Sequence, residues 1–516
     1  MSGAKREAFM PKASVFRETF ELDPGGLPIF KVYAPSSGWV TGRGGVRDDV
    51  SPIDGSIIAK YHVMDSEQAL GELGELHSSG RWDVRNTPGE RRLKILEKTA
   101  DLLVKYSDDL VEALVLDAGK TYELARGEVK ASIDRLEKAL LDLRRFSGDY
   151  IPGDWDAHTL ETEGLVRREP YGVVACITPF NYPLYDSVMK VVASFVTANA
   201  IILKPSLHDP IAPILFARLL LEAGFPPRAL MLAVMEGEEF SKVLPDKRIG
   251  AVLLTGSSET GRRVLATAGV KSYLLELGGG DPAIVLGDAD LESAARDIVT
   301  GIISYSGQRC DAIKIVLVES QVYDIMRRLL VSELERRVRV GDPRDPSVTV
   351  GPLISVQAVD KMEAAIRDAL EKGGRLLFGG KRLGPTYIEP ALIEAPADKV
   401  QEMELYRREV FAPVALLVEV TDLDHALRLA NGRPYGLDAC IFSKNLDYVR
   451  RAARYLEVGA VYVNMFPRHG IGYYPYGGRK ESGVGVEGIG YSIEYTSAYK
   501  SIVFNYKGAR IWDYVL

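Results

Sequence analysis

One cysteine of this chain lies in a setting that suits chemistry better than structural packing. Cys310 belongs to the polar, glycine-containing segment Ser-Tyr-Ser-Gly-Gln-Arg-Cys-Asp at residues 304–311 and directly follows Arg309. A structural cysteine prefers apolar neighbours, where its thiol stays protonated and inert. An acid, Glu276, stands just before the glycines at 278–280. Cation, thiol and carboxylate are the groups of a cysteine nucleophile whose covalent intermediate is later cleaved by water.

The other two cysteines have the surroundings of structural thiols. Cys176 lies within an apolar run that starts at Tyr171, and Cys440 lies within Asp-Ala-Cys-Ile-Phe. Three cysteines without a CxxC pair form no disulfide framework, and six scattered histidines form no zinc pattern. We therefore expect a reducing, cytoplasmic compartment and no bound metal.

Length and composition indicate a soluble enzyme with two or three domains. A chain of 516 residues is too long for one hydrophobic core. Its formal charge of −7 argues against nucleic acid as a main partner. No apolar run approaches the ~18 residues that a membrane span needs, and the N-terminus lacks the apolar segment of a signal peptide. Scarce Gln and Asn beside many charged residues favour a thermophilic source.

The elements that must position these residues alternate between strands and helices. A helical pattern runs from about residue 66 to residue 147. Beyond it, short apolar strands are each followed by a loop and a helix, as at 171–198 and 200–224, and a second such series begins near residue 283. Continuous apolar strands that alternate with helices predict a parallel sheet covered on both faces.

Seven motifs in this chain together resemble the aldehyde dehydrogenase superfamily. They follow the order of that family and cover nearly the whole chain beyond roughly the first 30–50 residues. Each motif is weak alone, whereas the ordered set is very specific. The motifs are Pro179-Phe-Asn-Tyr-Pro183, Lys204-Pro-Ser206, Thr255-Gly-Ser257, Glu276-Leu-Gly-Gly279, Gly307-Gln-Arg-Cys310, Glu409-Val-Phe-Ala-Pro413 and Pro475-Tyr-Gly-Gly-Arg-Lys-Glu-Ser-Gly483.

The resemblance implies an α/β fold with two Rossmann-type parallel-sheet domains and a β oligomerisation arm. Residues 147–170 have the alternation of a hairpin, and residues 491–510 include a strand. An isolated hairpin and an isolated strand need a partner sheet, so we interpret these two segments as the arm. The family and the arm together suggest a homotetramer. The predicted units are a flexible or wrapping N-terminal arm at 1–30, a dinucleotide-binding domain at 31–146 and 171–282, a catalytic domain at 283–490, and the oligomerisation arm at 147–170 and 491–510.

The resemblance also assigns the reaction to three residues. Cys310 would attack an aldehyde as a thiolate to give a thiohemiacetal, which passes a hydride to nicotinamide and leaves a thioester. Attack near neutral pH requires the pKa of the thiol, ordinarily about 8.5, to be lowered. The amide of Asn181 and the backbone N–H of Cys310 would form an oxyanion hole, and Glu276 would activate water to cleave the thioester. Family members that transfer the acyl group to coenzyme A typically lack this glutamate, so a free acid is expected.

The cofactor is expected to be NADP or NAD, bound without the usual fingerprint. A GxGxxG at 483–488 follows a polar segment rather than a strand, and we reject it. Instead, Ser257 and the N–H groups of the following helix would hold the pyrophosphate, and Lys204 would reach the adenosine ribose. Members restricted to NAD often carry an acid where this chain has Leu207, so NADP should be accepted. The other predicted cofactor-binding residues are Phe180, Ser206, Gly256, Gly261, Leu277, Glu409 and Phe411.

Two arginines indicate an anionic aldehyde. Arg309 precedes the nucleophile, and Arg468 lies in the segment that matches the family's substrate entrance; guanidinium groups bind phosphate or carboxylate through paired donors. With Tyr182 and Asn181, these motifs most resemble the non-phosphorylating glyceraldehyde-3-phosphate dehydrogenases, the archaeal ones above all. The expected glycolytic reaction converts glyceraldehyde 3-phosphate to 3-phosphoglycerate, and Arg135 is a further candidate for the phosphate. The alternative substrate is a semialdehyde, whose carboxylate also suits arginine.

Two other classes of protein remain open at this point. A non-catalytic scaffold would keep the fold without the reaction, but the intact Cys310, Glu276 and Asn181 argue against it. An acyltransferase that handles thioesters would release its product bound to coenzyme A rather than as a free acid.

Overall fold

The first large sheet is built from the apolar runs that lie between residues 171 and 276. This computed structural model describes residues 8–508. Five of the eight strands in the sheet are parallel, because helical crossovers join them. In spatial order the strands are Gly483–Val484, Ser272–Glu276, Ala251–Thr255, Val173–Ile177, Ala200–Lys204, Leu230–Leu232, Val32–Ala34 and Gly38–Val40.

Helices precede these strands and alternate with them. Apolar residues at three- and four-residue spacing bury one face of each longer helix against the sheet or against its neighbours, in one shared core. The helices are Ser66–Glu75 with its π-helical extension Leu76–Gly80, Arg81–Arg85, Gly89–Lys105, Ser107–Leu116, Tyr122–Glu137, Ala139–Arg145, Pro183–Val196, Ile211–Ala223, Gly237–Val243 and Ser258–Ala268.

The second large sheet has seven strands, and all but its first edge strand run parallel. In spatial order they are Arg375–Gly379, Ala391–Glu394, Val414–Val420, Ile313–Glu319, Asp281–Val285, Asp438–Phe442 and Ala460–Val463. The helices of this half are Leu291–Ile303, Ser320–Arg337, Val356–Glu371, Glu404–Arg407, Leu423–Asn431 and Leu446–Tyr455. The predicted α/β fold with two parallel-sheet domains is confirmed.

The two predicted arm segments pair with each other in a separate antiparallel sheet. Ser497–Asn505 lies beside Thr162–Pro170, which also pairs with Asp149–Ile151. Tyr499 and Val503 on the terminal strand are 61% and 65% exposed. The last two residues of the predicted arm, 509 and 510, lie outside the described residues.

Residues 8–30 pack against the first domain. Phe20–Leu22 and Pro28–Phe30 form a four-stranded sheet with two later strands. Phe9 and Phe16 are fully buried in the core of the first domain. Of the two alternatives for this N-terminal segment, wrapping therefore fits the described part and flexibility does not. The remaining members of the sheet are Val46–Val50 and Ile57–His62.

The parallel strands of the first sheet bring the predicted site residues to one edge. Glu276 and Lys204 are the last residues of their strands, Ser257 follows Thr255, and Asn181 follows Ile177 after a short loop. Carboxyl ends of parallel strands meet at the same edge of a sheet, which is where ligands bind in open α/β folds. Within residues 8–508, no helix is long and apolar enough to cross a bilayer.

Candidate active site

The nucleophile turn, residues 304–310, has an unusual backbone. Tyr305, Ser306 and Gly307 have consecutive positive φ angles of 47°, 53° and 66°. A left-handed backbone costs a non-glycine residue roughly 1–2 kcal/mol, so surrounding contacts must hold it. A Cβ on Gly307 would lie 2.4 Å from the carbonyl oxygen of Ala412, which requires glycine at this position.

Buried hydrogen bonds brace the nucleophile turn. The hydroxyl groups of Tyr305 and Ser306 donate to backbone carbonyls of neighbouring loops at 2.8 Å and 2.9 Å. The ammonium of Lys314 donates to the carbonyls of Gly307 at 2.9 Å and Ala412 at 2.6 Å. These bonds connect the turn to several separate segments and fix its conformation.

The arginine beside Cys310 does not outweigh the groups that raise the pKa of its thiol. Cys310 is partly exposed. Burial, followed by the carboxylates of Asp311 and Asp186, raises the pKa of its thiol well above the ordinary value. The guanidinium of Arg309 donates to Asp311 at 2.6 Å, so its charge is largely taken by that carboxylate. In these surroundings the pKa of the thiol is raised rather than lowered as expected.

Asn181 reaches the nucleophile turn from the first domain. Its amide nitrogen donates to the backbone carbonyl of Gln308 at 3.1 Å, and the residue is only 4% exposed. An amide nitrogen carries two hydrogens, so one remains for another acceptor. The structure thus brings Asn181 beside the segment that carries Cys310.

Glu276 is a buried carboxyl group without a hydrogen-bond partner in the described part of the chain. It is 4% exposed. Burial, and then the charge of Glu487, raises its pKa well above the ordinary value. A carboxylate whose pKa is moved toward neutrality is well matched to accept a proton from water.

Glycines allow the loop after Glu276 to contact the nucleophile turn. A Cβ on Gly279 would lie 2.0 Å from the carbonyl oxygen of Cys310. The N–H of Gly279 donates to the carboxylate of Glu409 at 2.9 Å. Besides burial, the carboxylate of Asp186 raises the pKa of both Cys310 and Glu276. The thiol, the acid and Glu409 therefore belong to one site.

Sequence reasoning missed a buried ionic group near Glu276. The ammonium of Lys190 donates to the hydroxyl of Thr255 at 2.6 Å and to Glu487 at 3.4 Å, and it lies 3.7 Å from Asp186. Although burial opposes its charge, Glu487 and Asp186 raise the pKa of Lys190. The available signal was a lone lysine inside an apolar helix. The charge of Lys190 also lowers the pKa of Glu276, against the burial and the carboxylates that raise it.

The predicted pyrophosphate-binding segment lies directly beside Glu276. Ser257 caps the following helix through its hydroxyl group. The N–H of Gly256 donates to the carbonyl of Glu276 at 3.0 Å. A Cβ on Gly261 would lie 2.5 Å from Leu277, so glycine lets the helix approach this loop. The free N–H groups at the helix start can hold an anion here.

Aromatic rings lie between the residues that are predicted to bind the two riboses of the cofactor. The ring of Phe180 lies 5.7 Å from that of Phe411 and 6.1 Å from that of His208, in edge-on contacts. Phe411 is near Glu409, whose pKa burial raises to about 7. His208 was not predicted from the sequence. The rings form an apolar surface between Glu409 and the strand that ends at Lys204.

Lys204 has an acidic neighbour that the sequence argument overlooked. Burial lowers the pKa of Lys204 to about 8, and the carboxylate of Glu236 acts in the opposite direction. Ser206 accepts a hydrogen bond from the backbone of His208 at 3.0 Å. The sequence argument considered only the loop after Lys204, whereas Glu236 lies at the start of helix Gly237–Val243.

The two predicted substrate arginines meet at one ring. The guanidinium carbons of Arg309 and Arg468 each lie 5.8 Å from the ring centre of Phe466. Arg309 is 7% exposed and paired with Asp311, but its Nε has no partner among the described residues. Arg468 is exposed and forms no ion pair within residues 8–508. Arg468 therefore has the more available charge.

The other two predicted substrate residues differ in their surroundings. The ring of Tyr182 lies 6.2 Å from that of Tyr305 in the nucleophile turn, and Arg309 is close enough to act on the Tyr182 hydroxyl. Arg135 is fully buried and bonded to Asp142 at 2.8 Å. The charge of Arg135 is thus used within the fold.

A buried ionic cluster holds the segment around Arg309. Asp311, Asp438 and His469 present ligand atoms within 4.8 Å of one another. The imidazole of His469 lies 2.6 Å from Asp438, and despite burial Asp438 raises the pKa of His469. Because His469 and Arg309 supply cations to these acids, the cluster is neutralised from within. Neither Asp438 nor His469 was singled out from the sequence.

The chain is similar in sequence and in fold to known proteins. The model of the Aldehyde dehydrogenase family matches residues 39–502. The NADP-dependent glyceraldehyde-3-phosphate dehydrogenase of Streptococcus equinus is 35% identical over 416 residues, which are 80% of this chain and 86% of that protein. The mitochondrial succinate-semialdehyde dehydrogenase of Arabidopsis thaliana is 34% identical over 452 residues, 86% of this chain and 83% of that protein. The crystal structure of NADP-dependent glyceraldehyde-3-phosphate dehydrogenase from Bacillus halodurans C-125, complexed with NADP, has a TM-score of 0.88 and 31% identity, covering 92% of this chain and 99% of that one.

Proposed function

Because the chain belongs to the aldehyde dehydrogenase family of NAD(P)-dependent enzymes, we propose that it oxidises glyceraldehyde 3-phosphate to 3-phosphoglycerate without an acyl-phosphate intermediate. The observation that carries the substrate is the exposed Arg468, whose guanidinium carbon lies 5.8 Å from the ring centre of Phe466, the ring that Arg309 also contacts. Guanidinium groups recognise phosphate through several donors. The family supports the reaction type, and Arg468 supports an anionic tail.

The first step forms a covalent bond between Cys310 and the aldehyde. The thiolate sulfur attacks the carbonyl carbon, the carbon–sulfur bond forms, and the carbonyl electrons move to oxygen. The second N–H of Asn181 and the backbone N–H of Cys310 stabilise that oxyanion. One such donor contributes about 10²–10³ in rate.

The chain has suitable groups for a dinucleotide along the strand ends. Bound NADP or NAD supplies the hydride acceptor, and loss of the hydride leaves a thioester on Cys310. Glu409 and Lys204 would hold the two riboses, and the helix after Ser257 would hold the pyrophosphate. A Cβ on Gly278 would lie 2.4 Å from the carboxylate of Glu409, so glycine keeps the space beside that acceptor open.

Water then cleaves the thioester with Glu276 as general base. Glu276 takes a proton from water, the oxygen attacks the acyl carbon, and the carbon–sulfur bond breaks to release the thiolate and the free acid. The charge of Lys190 lowers the pKa of Glu276 and so favours the return of Glu276 to its ionised form. This step makes coenzyme A unnecessary.

The substrate is tested by steady-state turnover of glyceraldehyde 3-phosphate, glyceraldehyde and succinate semialdehyde, with inorganic phosphate and coenzyme A omitted. We expect glyceraldehyde 3-phosphate to have the highest kcat/KM. Arg468→Met should raise its KM about tenfold, equivalent to about 1.4 kcal/mol, and leave glyceraldehyde unaffected because that molecule has no anionic tail. Arg450→Met, on an exposed part of helix Leu446–Tyr455, is the matched control.

Two results would overturn this substrate. One is the absence of NAD(P)H formation from glyceraldehyde 3-phosphate. The other is a higher kcat/KM for succinate semialdehyde, the alternative favoured by the similarity to the Arabidopsis enzyme named for that substrate. In that second case, Arg468→Met would weaken binding of a carboxylate instead of a phosphate.

A further inference from the structure

We propose that Glu236 binds the hydroxyl groups of the cofactor's adenosine ribose and makes this enzyme favour NAD over NADP, while its ion-pair partner Arg47 keeps NADP acceptable. The inference rests on the proposed function, since it concerns the cofactor of that reaction. It replaces the expectation based on Leu207, which considered only the loop that contains Lys204.

The pairing of two neighbouring strands brings the segments that contain Glu236 and Lys204 close together. Leu203 lies opposite Leu232 in two parallel neighbouring strands, and the N–H of Ala233 donates to the carbonyl of Leu203 at 2.8 Å. The residues that follow the two strands therefore leave the sheet side by side. Burial lowers the pKa of Lys204, and the charge of Glu236 raises it. The Glu236 carboxylate is therefore close enough to act on the ammonium of Lys204.

Tyr61 also lies close to the segments that contain Lys204 and Glu236. Its hydroxyl donates to the backbone carbonyl of Leu207 at 2.8 Å. Burial is the main cause that raises the pKa of Tyr61, and Glu236 is one of the carboxylates that add to it. Leu207 has no polar side chain, and its carbonyl is already bonded. Glu236 thus supplies a partly exposed carboxylate for hydroxyl groups bound next to Lys204, whereas the carboxylate of Asp209 in the following loop is buried.

Arg47 holds the Glu236 carboxylate without burying it. The guanidinium of Arg47 lies 3.0 Å from Glu236, and the two side chains are 56% and 43% exposed. An exposed ion pair of this kind contributes at most about 1 kcal/mol. The carboxylate is therefore oriented, yet its remaining electron pairs stay free for a ligand.

The charges of Glu236, Lys204 and Arg47 explain why NAD binds more tightly than NADP although NADP is not excluded. In NAD, the 2′- and 3′-hydroxyl groups donate to the carboxylate. In NADP, the 2′-phosphate places negative charge against Glu236, which disfavours binding. The cations of Lys204 and Arg47 offset part of that repulsion, so NADP binds more weakly than NAD but is not excluded.

The test measures binding of each cofactor as well as turnover. Dissociation constants of NAD and NADP are determined for the full chain by quenching of protein fluorescence, without aldehyde, and compared with kcat/KM for both. Glu236→Gln keeps the shape and removes the charge, so the NADP-to-NAD affinity ratio should rise about tenfold (about 1.4 kcal/mol). Arg47→Met should move the ratio in the opposite direction.

Glu238→Gln is the matched control, because Glu238 is exposed and lies two residues further along. It should leave the ratio unchanged. An unchanged ratio in Glu236→Gln, or an equal change in Glu238→Gln, would overturn the role of Glu236. Failure of both cofactors to bind the unmodified protein would overturn the inference together with the proposed function. Selective NAD binding without aldehyde turnover would count against the proposed function alone.

Discussion

At the scale of single residues, burial determines the protonation states in this site. Burial raises the pKa of both Cys310 and Glu276 well above their ordinary values. The adjacent cation does not outweigh this for the thiol, because Arg309 is paired with Asp311. Burial thus opposes ionisation of both the nucleophile and the proposed base.

Alkylation should report the protonation of Cys310. A raised pKa means less thiolate at any given pH, so labelling by iodoacetamide should increase with pH around a midpoint above about 8.5, the ordinary thiol value. Mass spectrometry of the labelled peptides measures this directly. Cys176 and Cys440 are fully buried and should stay unlabelled in the folded protein. A midpoint below the ordinary value would contradict the structure.

Replacement of Glu276 by Gln should separate acylation from hydrolysis. The variant should form about one equivalent of NAD(P)H in a burst and then slow by about 10²–10⁴-fold, which is the contribution of a general base. Rapid-mixing absorbance follows the burst, and mass spectrometry detects the acyl group on Cys310. Glu292→Gln, at an exposed helix start, should behave like the unmodified enzyme. Steady turnover of Glu276→Gln at the normal rate would exclude the base role.

At the scale of elements, close backbone contacts align the base with the nucleophile. The loop after Glu276 can approach the nucleophile turn because it consists of glycines, and its N–H bonds to Glu409. The nucleophile turn is in turn held by Lys314 and by its own buried hydroxyl groups. These contacts hold two loops from different domains in fixed positions relative to each other.

Gly279→Ala should test whether catalysis needs the close contact between these two loops. The added methyl group would lie 2.0 Å from the carbonyl oxygen of Cys310, so one loop must move. A displacement of about 1 Å can cost about 10²-fold in rate, and we expect kcat to fall by that order. Gly127→Ala in helix Tyr122–Glu137 meets no atom within 4 Å and should leave kcat unchanged. It should stabilise the protein by about 0.5–1 kcal/mol, measured by thermal unfolding. Normal kcat in Gly279→Ala would refute the contact.

At the scale of the whole molecule, the three-stranded arm sheet presents apolar side chains to solvent. Tyr499, Val503 and Phe504 on its terminal strand are 61%, 65% and 44% exposed. Exposed apolar residues grouped on one sheet are typical of a surface that another chain covers. This supports the proposal, made from the sequence, that the arm joins subunits in a tetramer.

Val503→Asp should therefore reduce the size of the assembly. A carboxylate on this surface would have to be buried without a partner when the arms pack together. Light scattering coupled to size-exclusion chromatography should show particles smaller than those of the unmodified protein. Leu446→Asp introduces the same charge at another exposed apolar position, which is 59% exposed, and should leave the size unchanged. An unchanged size in Val503→Asp would remove the arm as the interface.

The sequence by itself determined the elements and the chemical identity of the site, because both are local. Continuous apolar runs, each followed by a loop and a helix, predicted strands such as Val173–Ile177 and helices such as Pro183–Val196 within a few residues. A cysteine in a polar, glycine-rich segment is recognisable without knowing its neighbours in space. The acid before three glycines is recognisable for the same reason.

Only the tertiary structure decided the electrostatic partners. The pairing of Arg309 with Asp311, the proximity of Lys190 to Glu487 and the arrival of Glu236 beside Lys204 depend on which strands are neighbours and which side chains are buried together. Coulomb energies and desolvation depend on distance and burial in space. Distance along the sequence fixes neither of these quantities, so the proposed cofactor preference and the direction of the thiol pKa shift could be argued only from the fold.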